Sequence, residues 1–199
     1  MTGEISRRER KKEETRRRIF HAAIDLFRER GFEQTTVDDI TEQADVAKGT
    51  FFNYFPRKDA VLAYLTEERL LAIEENAGAF LSPDRPVTEK LIELYTTGAS
   101  AYEEDHELAR YVLIELMSRI FVPSEESMRR WHELATSIIR QGQDRGELER
   151  DADPERLEAV LSCIYHGTLY EWVCCMPDVF LLLPELRARL VLAMEGFTT

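Results

Sequence analysis

One stretch of the sequence, residues 35–58, constrains the fold more than any other, because it predicts two short helices joined by a tight turn. It reads TTVDDITEQADVAKGTFFNYFPRK. Thr36, followed three residues later by Asp39, is typical of a capping box at a helix N-terminus. Three apolar residues then fall on one face at helical spacing: Val37, Ile40 and Ala44. The first short helix is therefore expected to begin after Thr36 and to pack on a core through that face.

The second helix of this stretch is expected over residues 47–55, because Pro56 disfavours helical geometry at the residue before it. Phe51 and Phe55 lie one turn apart and can both enter the core. Small and hydrogen-bonding residues are left on the opposite face: Gly49, Thr50, Asn53 and Tyr54. Such a face suits a helix placed in the major groove of DNA. An ordinary helical hairpin is the alternative.

The net charge of −12 argues against a nucleic-acid partner, but its distribution does not. Residues 1–18 hold eight basic and four acidic side chains. Residues 1–62 hold thirteen basic and twelve acidic groups, so the remaining 137 residues hold thirteen basic and twenty-six acidic groups. We therefore expect the N-terminal part to meet phosphate and the acidic remainder to stay away from it.

The order of residues around this stretch resembles the N-terminal domain of the TetR family of transcriptional regulators. The matching features follow a long amphipathic helix and are Gly31-Phe32, Thr35-Thr36-Val37, Asp39-Ile40, Ala44, Val46, Gly49-Thr50-Phe51, Tyr54-Phe55-Pro56 and Lys58. The resemblance is tight over about residues 15–65 and elsewhere extends only to length and helical pattern. It implies a repressor that binds a palindromic operator as a homodimer through residues 47–55 and is released by a small, largely apolar ligand.

The resemblance also implies roles for individual residues. Those expected to contact bases are Lys48, Gly49, Thr50 and Asn53. Those expected to contact phosphates are Thr35, Thr36, Tyr54, Arg57 and Lys58. The chain departs from the family pattern at Phe52, where a Tyr is usual, and at Ala47, where a Ser commonly caps the helix. We expect Phe52 to pack rather than to bind a phosphate.

The whole chain is predicted to be all-α, with an N-terminal three-helix bundle that contains the helix-turn-helix and a larger helical ligand-binding and dimerisation domain, about nine helices in all. Residues 1–14 are expected to form a basic flexible arm, residues 15–60 the DNA-binding domain and residues 61–199 the second domain. Further helices are predicted over residues 15–30, 57–79, 87–105, 106–121, 125–145, 154–176 and 184–197.

Aromatic and polar residues spread through the later helices are candidates for a ligand pocket. They are Tyr95, Tyr102, Tyr111, Met117, Phe121, Trp131, Tyr165, His166 and Trp172. Two apolar stripes are candidates for the dimer interface, which the resemblance places on the last two long helices. They are Leu157, Val160, Leu161, Ile164 and Thr168 on one helix, and Leu186, Leu190, Ala193, Met194 and Phe197 on the other. By periodicity alone, either set equally describes an intramolecular core.

The sequence indicates no catalytic residues, no cofactor and no metal. Cys163 and His166 share a helix face, with Cys174 beside Cys175 further on, so a metal- or thiol-sensing regulator is one alternative. A helical adaptor that binds protein through its acidic surface is another. No apolar run is long enough to span a membrane, and a cytoplasmic protein is expected. The predicted partners are operator DNA, a second copy of the chain and an unknown small-molecule effector.

Overall fold

The computed structural model describes residues 6–80, 84–103, 106–119, 126–175 and 180–198. Within these ranges the chain forms nine α-helices and one five-residue π-helix, Glu171–Cys175, that extends the eighth. The α-helices are α1 (Arg7–Arg30), α2 (Val37–Gln43), α3 (Lys48–Tyr54), α4 (Ala60–Phe80), α5 (Val87–Glu103), α6 (His106–Arg119), α7 (Glu126–Arg145), α8 (Pro154–Tyr170) and α9 (Leu182–Met194). The all-α prediction is confirmed.

The chain divides into two compact units, residues 1–65 and 66–199. We refer to them as the head and the body. The division falls inside α4, whereas the sequence placed the boundary at residue 60. None of the helices in the described ranges is long and apolar enough to cross a membrane.

Helix α1 begins at Arg7, eight residues before its predicted start. Ser6 caps it, since the Glu9 amide donates to Ser6 Oγ at 3.2 Å and the Ser6 amide donates to Glu9 Oε2 at 3.0 Å. This capping box satisfies two backbone donors at the helix end. The prediction of a flexible arm is therefore wrong for residues 6–14, because the basic residues there form the first two turns of a capped helix.

The helix-turn-helix forms as the sequence predicts. Thr36 caps α2, and its side chain and backbone amide both bond to Asp39. The turn passes through Asp45, whose φ of 50° lies in the left-handed region that Asp tolerates better than most residues. Helix α3 starts at Lys48 without a side-chain cap from Ala47. The head has a core of fully buried side chains: Ile19, Leu26, Ile40, Phe51, Phe55 and Leu62.

The body is built around α5 and α8, each of which packs against both α7 and α9. Its core includes Leu91, Leu94, Leu113, Ile139, Leu161 and Leu186, all almost completely buried. The predicted helix over residues 154–176 changes to a π-helix at Glu171, and the last helix begins at Leu182 and ends at Met194. The predicted helix ends at residues 105, 121 and 176 lie outside the described residues.

Candidate DNA-binding surface and ligand pocket

Helix α3 turns its aromatic face inward and its polar face to solvent. Phe51 and Phe55 are 0% and 1% exposed and anchor the helix on the head core. Of the residues predicted to contact bases, Lys48, Gly49 and Asn53 are exposed and Thr50 is half-buried. The side chains that could reach base edges therefore stand on one accessible face of a firmly seated helix. Their contact with DNA remains a prediction.

A groove between the first half of α1 and α3 runs beside this face. It is lined by Arg8, Lys11, Lys12, Thr15, Thr50, Asn53 and Tyr54. One wall carries exposed ammonium and guanidinium groups, and the other carries hydroxyl and amide groups. Groups of both kinds bind phosphate oxygens. The sequence indicated a basic cluster here but gave no site residues in α1, because the cluster was interpreted as part of a flexible arm.

Lys48 does not project freely from α3. Its ammonium lies 2.8 Å from Asp38 Oδ1 and 3.0 Å from Asp38 Oδ2, in helix α2. Both side chains are largely exposed, and an exposed ion pair of this kind contributes little to stability. Lys48 can therefore exchange Asp38 for a base or a phosphate at low cost.

Two of the predicted phosphate contacts are occupied inside the head. The Thr35 hydroxyl is buried and donates to the carbonyls of Gly31 and Leu26, at 2.9 and 3.2 Å. The Lys58 ammonium donates to the carbonyls of Phe32 and Thr35, at 2.7 and 2.9 Å. Burial lowers the pKa of Lys58. These side chains fix the connection between α1 and α2, because they bond to carbonyl groups at the end of α1 and in the segment that follows it.

The other predicted phosphate contacts are more accessible. Thr36 is exposed, although its hydroxyl lies 2.6 Å from the Asp39 carboxylate. Arg57 is exposed and lies 3.2 Å from Asp59. Phe52 touches Phe51 edge-on, at 5.4 Å between ring centroids, but stays 46% exposed. Phe52 therefore packs against Phe51 from the surface, because Phe51 and Phe55 already fill the inward face.

The body contains a cleft formed by four helices. Its lining comprises Thr66, Arg69, Leu70 and Ile73 from α4, Gly98 and Tyr102 from α5, Met128, Trp131 and His132 from α7, and Tyr165 and His166 from α8. Its cavity volume is about 80 Å³, and the space in front of it is open to solvent. Apolar and aromatic walls with a few polar groups are typical of a small-molecule site.

Three aromatic rings form the floor of the cleft. Trp131 stacks on Tyr165 with ring centroids 5.8 Å apart, and Tyr95 packs behind both at 5.4 and 5.6 Å. Gly98 permits this arrangement, because a Cβ atom there would lie 2.8 Å from Trp131 Cη2 and 3.2 Å from the Tyr165 hydroxyl. The shape of the cleft therefore depends on the absence of a side chain at residue 98.

A buried carboxylate, Glu158, organises the polar groups behind this floor. Glu158 Oε2 lies 2.6 Å from His132 Nδ1, and Glu158 Oε1 accepts from the Ser162 and Tyr95 hydroxyls at 2.5 and 3.2 Å. Burial alone would raise the pKa of the Glu158 carboxyl, but the hydrogen bonds from His132 and Ser162 outweigh it and the pKa is lowered. The same bond to Glu158 raises the pKa of His132. Each of the two side chains therefore favours the charged form of the other.

The structure brings four of the predicted pocket residues to the cleft: Tyr102, Trp131, Tyr165 and His166. Tyr95 lies one layer behind, fully buried and bonded to Glu158. Tyr111 and Trp172 do not line it, and Trp172 packs against His106 instead. The Met117 side chain and Phe121 lie outside the described residues. Sequence reasoning missed Arg69, Gly98 and His132, since nothing in the local pattern distinguishes a cleft-lining residue from a solvated one.

The predicted dimer residues divide into two groups. Six are buried within their own protomer and serve as its core: Leu157, Leu161, Thr168, Leu186, Leu190 and Met194. Val160 is 43% exposed, and Ile164, Ala193 and Phe197 are half-buried. A shallow groove on the outer side of α8 and α9 is lined by Cys163, Ile164, Gly167, Thr168, Glu171, Arg189, Leu192 and Ala193. The face available to a second copy is therefore this outer one.

The described residues contain no group of three or more His, Cys, Asp or Glu side chains placed to hold a metal ion. Cys163 is an exposed free thiol, and the side chains of Cys174 and Cys175 lie outside the part of the chain that is described. The described residues therefore give the metal-sensing alternative no site.

Comparison with known proteins gives consistent results for both units. A family model described as "Bacterial regulatory proteins, tetR family" matches residues 19–65. The chain is similar to FadR of Thermus thermophilus, a TetR-family transcriptional repressor whose crystal structure contains lauroyl-CoA. That likeness has 32% identity and a TM-score of 0.74, and it covers 91% of this chain and 94% of that one.

Two further proteins come from Bacillus subtilis. The transcriptional regulator FadR, in complex with stearoyl-CoA, has the same fold, with 24% identity, a TM-score of 0.69 and coverage of 90% of this chain and 98% of that one. The fatty acid metabolism regulator protein of strain 168 is 25% identical over 158 residues, which is 78% of this chain and 81% of the relative.

Proposed function

The chain belongs to the TetR family of transcriptional regulators, and on that premise we propose that it is a repressor released from a palindromic operator by a ligand with a long acyl chain. One observation carries this proposal: the same helix, α4, contributes to the core of the head and to the ligand cleft of the body. Val61, Leu62 and Tyr64 are buried in the head. Arg69, Leu70 and Ile73 line the cleft.

The DNA-binding step follows from the geometry of the head. Helix α3 enters the major groove and offers Lys48, Thr50 and Asn53 to base edges, where Lys suits guanine acceptors and Asn suits adenine. The groove beside it, with Lys11 and Lys12 on α1, receives a phosphate of the adjacent backbone. Register and affinity come mainly from α1, and sequence selectivity comes from α3.

A palindromic operator requires two heads and therefore two copies of the chain. The outer groove of α8 and α9 is the surface we assign to the second copy. Val160 and Leu192 expose large apolar side chains there, and Leu192 is 72% exposed. Removing such residues from water drives association.

The ligand assignment rests on the walls of the cleft and on one similar repressor. Leu70, Ile73, Met128 and Trp131 give the cleft an apolar side against which an alkyl chain can pack. The Thermus thermophilus repressor similar to this chain was solved with lauroyl-CoA. An acyl-CoA thioester or a related acyl ligand is therefore the effector class we propose.

Release requires that the ligand favour a conformation that binds DNA poorly. A hundredfold loss of operator affinity corresponds to about 2.7 kcal/mol of coupling between the two sites. Burying a few methylene groups of an acyl chain, at about 0.8 kcal/mol each, provides more than this amount. Burial of the acyl chain in the cleft therefore supplies enough free energy for release, if part of that free energy depends on the position of α4.

The test is fluorescence anisotropy of the purified protein on the DNA that flanks its own gene, over a salt series, with and without lauroyl-CoA. We expect tight, salt-sensitive binding to a palindrome and loss of binding when lauroyl-CoA is added. Tyr54→Phe should weaken binding to all sequences alike, because it removes one hydroxyl from the phosphate groove. Salt-insensitive binding, or binding to no DNA at low salt, would contradict the DNA-binding role. Undiminished binding with lauroyl-CoA would contradict the effector class.

A further inference from the structure

The cleft is chemically unlike the rest of the body. Residues 63–199 hold twenty-six acidic and thirteen basic side chains, yet no Asp or Glu is among the residues described as lining the cleft. The ionisable side chains of that lining other than tyrosine are Arg69, His132 and His166. A cleft whose described lining holds no carboxylate, inside an acidic domain, is suited to a ligand that carries negative charge or a strong acceptor oxygen.

His132 is held in one orientation by Glu158. Its Nδ1 lies 2.6 Å from Glu158 Oε2, so the ring nitrogen left for a ligand is Nε2. Glu158 is 5% exposed and His132 is 42% exposed, so the carboxylate is inside and the imidazole reaches the open side. The hydrogen bond to Glu158 raises the pKa of His132 and so favours the imidazolium form, in which Nε2 is a donor.

Arg69 is fixed in the same cleft by the backbone. One of its terminal nitrogens donates to the Ala101 carbonyl at 3.0 Å, and its guanidinium carbon lies 5.2 Å from the centre of the Tyr102 ring. A guanidinium anchored in this way does not have to be ordered when a ligand binds, so less entropy is lost. Its permanent positive charge lies in the same cleft as the imidazole of His132.

His166 has the opposite character. Its Nδ1 lies 2.8 Å from the Ser162 carbonyl, so Nδ1 donates and Nε2 is an acceptor. Burial lowers the pKa of His166 and so favours its neutral form. The two imidazoles of the cleft therefore differ, since the environment of His132 favours an Nε2 that donates to a ligand oxygen and that of His166 favours an Nε2 that accepts.

We propose that Arg69 and His132 bind an acyl oxygen of the effector, as carboxylate or as thioester carbonyl, and that Glu158 is the positioning residue that directs His132 toward it. The alkyl chain of the same ligand lies against Leu70, Ile73 and Met128. This inference rests on the proposed ligand pocket and adds to it the part of the ligand that is recognised. A free fatty acid and an acyl-CoA share this chemistry.

Isothermal titration of the full-length protein with four ligands of equal chain length tests the proposal. They are dodecanoate, lauroyl-CoA, 1-dodecanol and dodecyltrimethylammonium, each kept below its micelle concentration. We expect dodecanoate or lauroyl-CoA to bind at least about tenfold more tightly than 1-dodecanol, and the cation to bind most weakly. Whichever of the first two binds more tightly identifies the source of the acyl oxygen. Equal affinity for all four, or preference for the cation, overturns the proposal.

Variants separate recognition from folding. His132→Leu should reduce the ratio of dodecanoate to 1-dodecanol affinity by about tenfold, and Glu158→Gln should reduce it less, because the amide oxygen still accepts from Nδ1 but no longer holds the charge on the ring. His106→Gln, a histidine of the body outside the cleft, is the control and should leave the ratio unchanged. An unchanged ratio in His132→Leu contradicts the proposal. If a variant fails to fold, the four-ligand series on the unaltered protein still tests whether an acyl oxygen is recognised.

The outcomes also distinguish this inference from the proposed function. Ligands that release operator DNA without any preference for an acyl oxygen would overturn the inference and leave the repressor intact. A clear preference for the acyl oxygen without DNA release would support the inference and contradict the release mechanism.

Discussion

The head and the body carry their functions in different ways. In the head, every residue proposed to meet DNA lies within residues 8–58, on α1, on α3 and in the segments just before α2 and just after α3. In the body, the cleft takes residues from α4, α5, α7 and α8, which span about half the chain between Thr66 and His166. The head therefore has a local signature in the sequence, whereas the site in the body exists only once distant helices have packed.

The partners explain this difference. DNA presents one regular groove, so a head that reads it needs a fixed spacing of caps, turn and helix. A small ligand imposes no common geometry, and many combinations of helical side chains enclose a cleft of similar size. Mutations that act on one unit and spare the other test this division.

The largest effect is expected from Phe51→Ala. Phe51 is fully buried, and truncating a buried Phe costs about 3–5 kcal/mol, so operator binding should be lost. Both tryptophans, Trp131 and Trp172, belong to the body, so tryptophan fluorescence should still report lauroyl-CoA binding. Phe52→Ala is the matched control and should change the free energy of unfolding by no more than about 0.5 kcal/mol, because Phe52 is half-exposed. Loss of the ligand signal in Phe51→Ala would show that the two units do not act separately.

The same substitution at two glycines should have opposite consequences. Gly98→Ala places a methyl group 2.8 Å from Trp131, so it should cost about 1–3 kcal/mol and weaken lauroyl-CoA binding while operator binding persists. Gly49→Ala meets no atom within 4 Å and replaces a helical glycine, so it should stabilise the head by about 0.5–1 kcal/mol. Its methyl group nevertheless stands on the DNA-facing side and should weaken operator binding. Thermal unfolding and anisotropy on both variants check the pair.

Two lysines of the head should separate structure from DNA contact. Lys58→Met leaves the carbonyls of Phe32 and Thr35 without their donor and should cost about 1–2 kcal/mol of stability, with little change in the salt dependence of DNA binding. Lys12→Met should leave stability nearly unchanged and reduce the salt slope by about one. Chemical denaturation and anisotropy over a salt series measure both quantities. A reduced salt slope in Lys58→Met would show that Lys58 does contact a DNA phosphate.

The smallest effect is the pH dependence of the body. The pKa of His132 is raised on folding, so its contribution to stability is complete below its ordinary value of 6.5 and is lost as the pH rises through the raised value. The pKa of Glu158 is lowered, so its contribution is present above 4.5 and is lost as the pH falls. The stability advantage of the wild type over His132→Gln should therefore be larger near pH 6 than near pH 8.5, as measured by urea denaturation. His166 acts in the opposite sense in both proteins, mainly through its burial.

The fold of the head could be predicted almost completely, because its signals are local. Thr36 with Asp39 marks the start of α2, and Pro56 marks the end of α3. Neither signal depends on the rest of the chain. The start of α1 was missed although the same kind of signal, Ser6 with Glu9, is present. The cluster of basic residues favoured the prediction of a flexible arm. The stretch is helical instead, because a capping box begins the helix and the sequence after it contains no Gly or Pro.

The body could be predicted as helical but its surfaces could not. Helix α8 has two apolar stripes, one with Leu157 and Leu161 and one with Val160 and Ile164. Periodicity identifies both stripes, and only the packing of the other helices shows that the first is buried and the second is available. Arg69 and His132 were missed for the same reason, since a charged residue on a helix is ordinarily solvated.

The capped start of α1 has a consequence for how the head and DNA meet. Arg7, Arg8 and Arg10 occupy the first turn or so of a helix whose aligned peptide groups already place about half a positive charge at that end. Glu9 offsets part of this self-repulsion, and a DNA phosphate in the adjacent groove, at the contact we propose, would offset more of it. The first two turns of α1 should therefore be more stable on the operator than in the free protein, so that DNA binding and helix stability would be coupled at this end of α1.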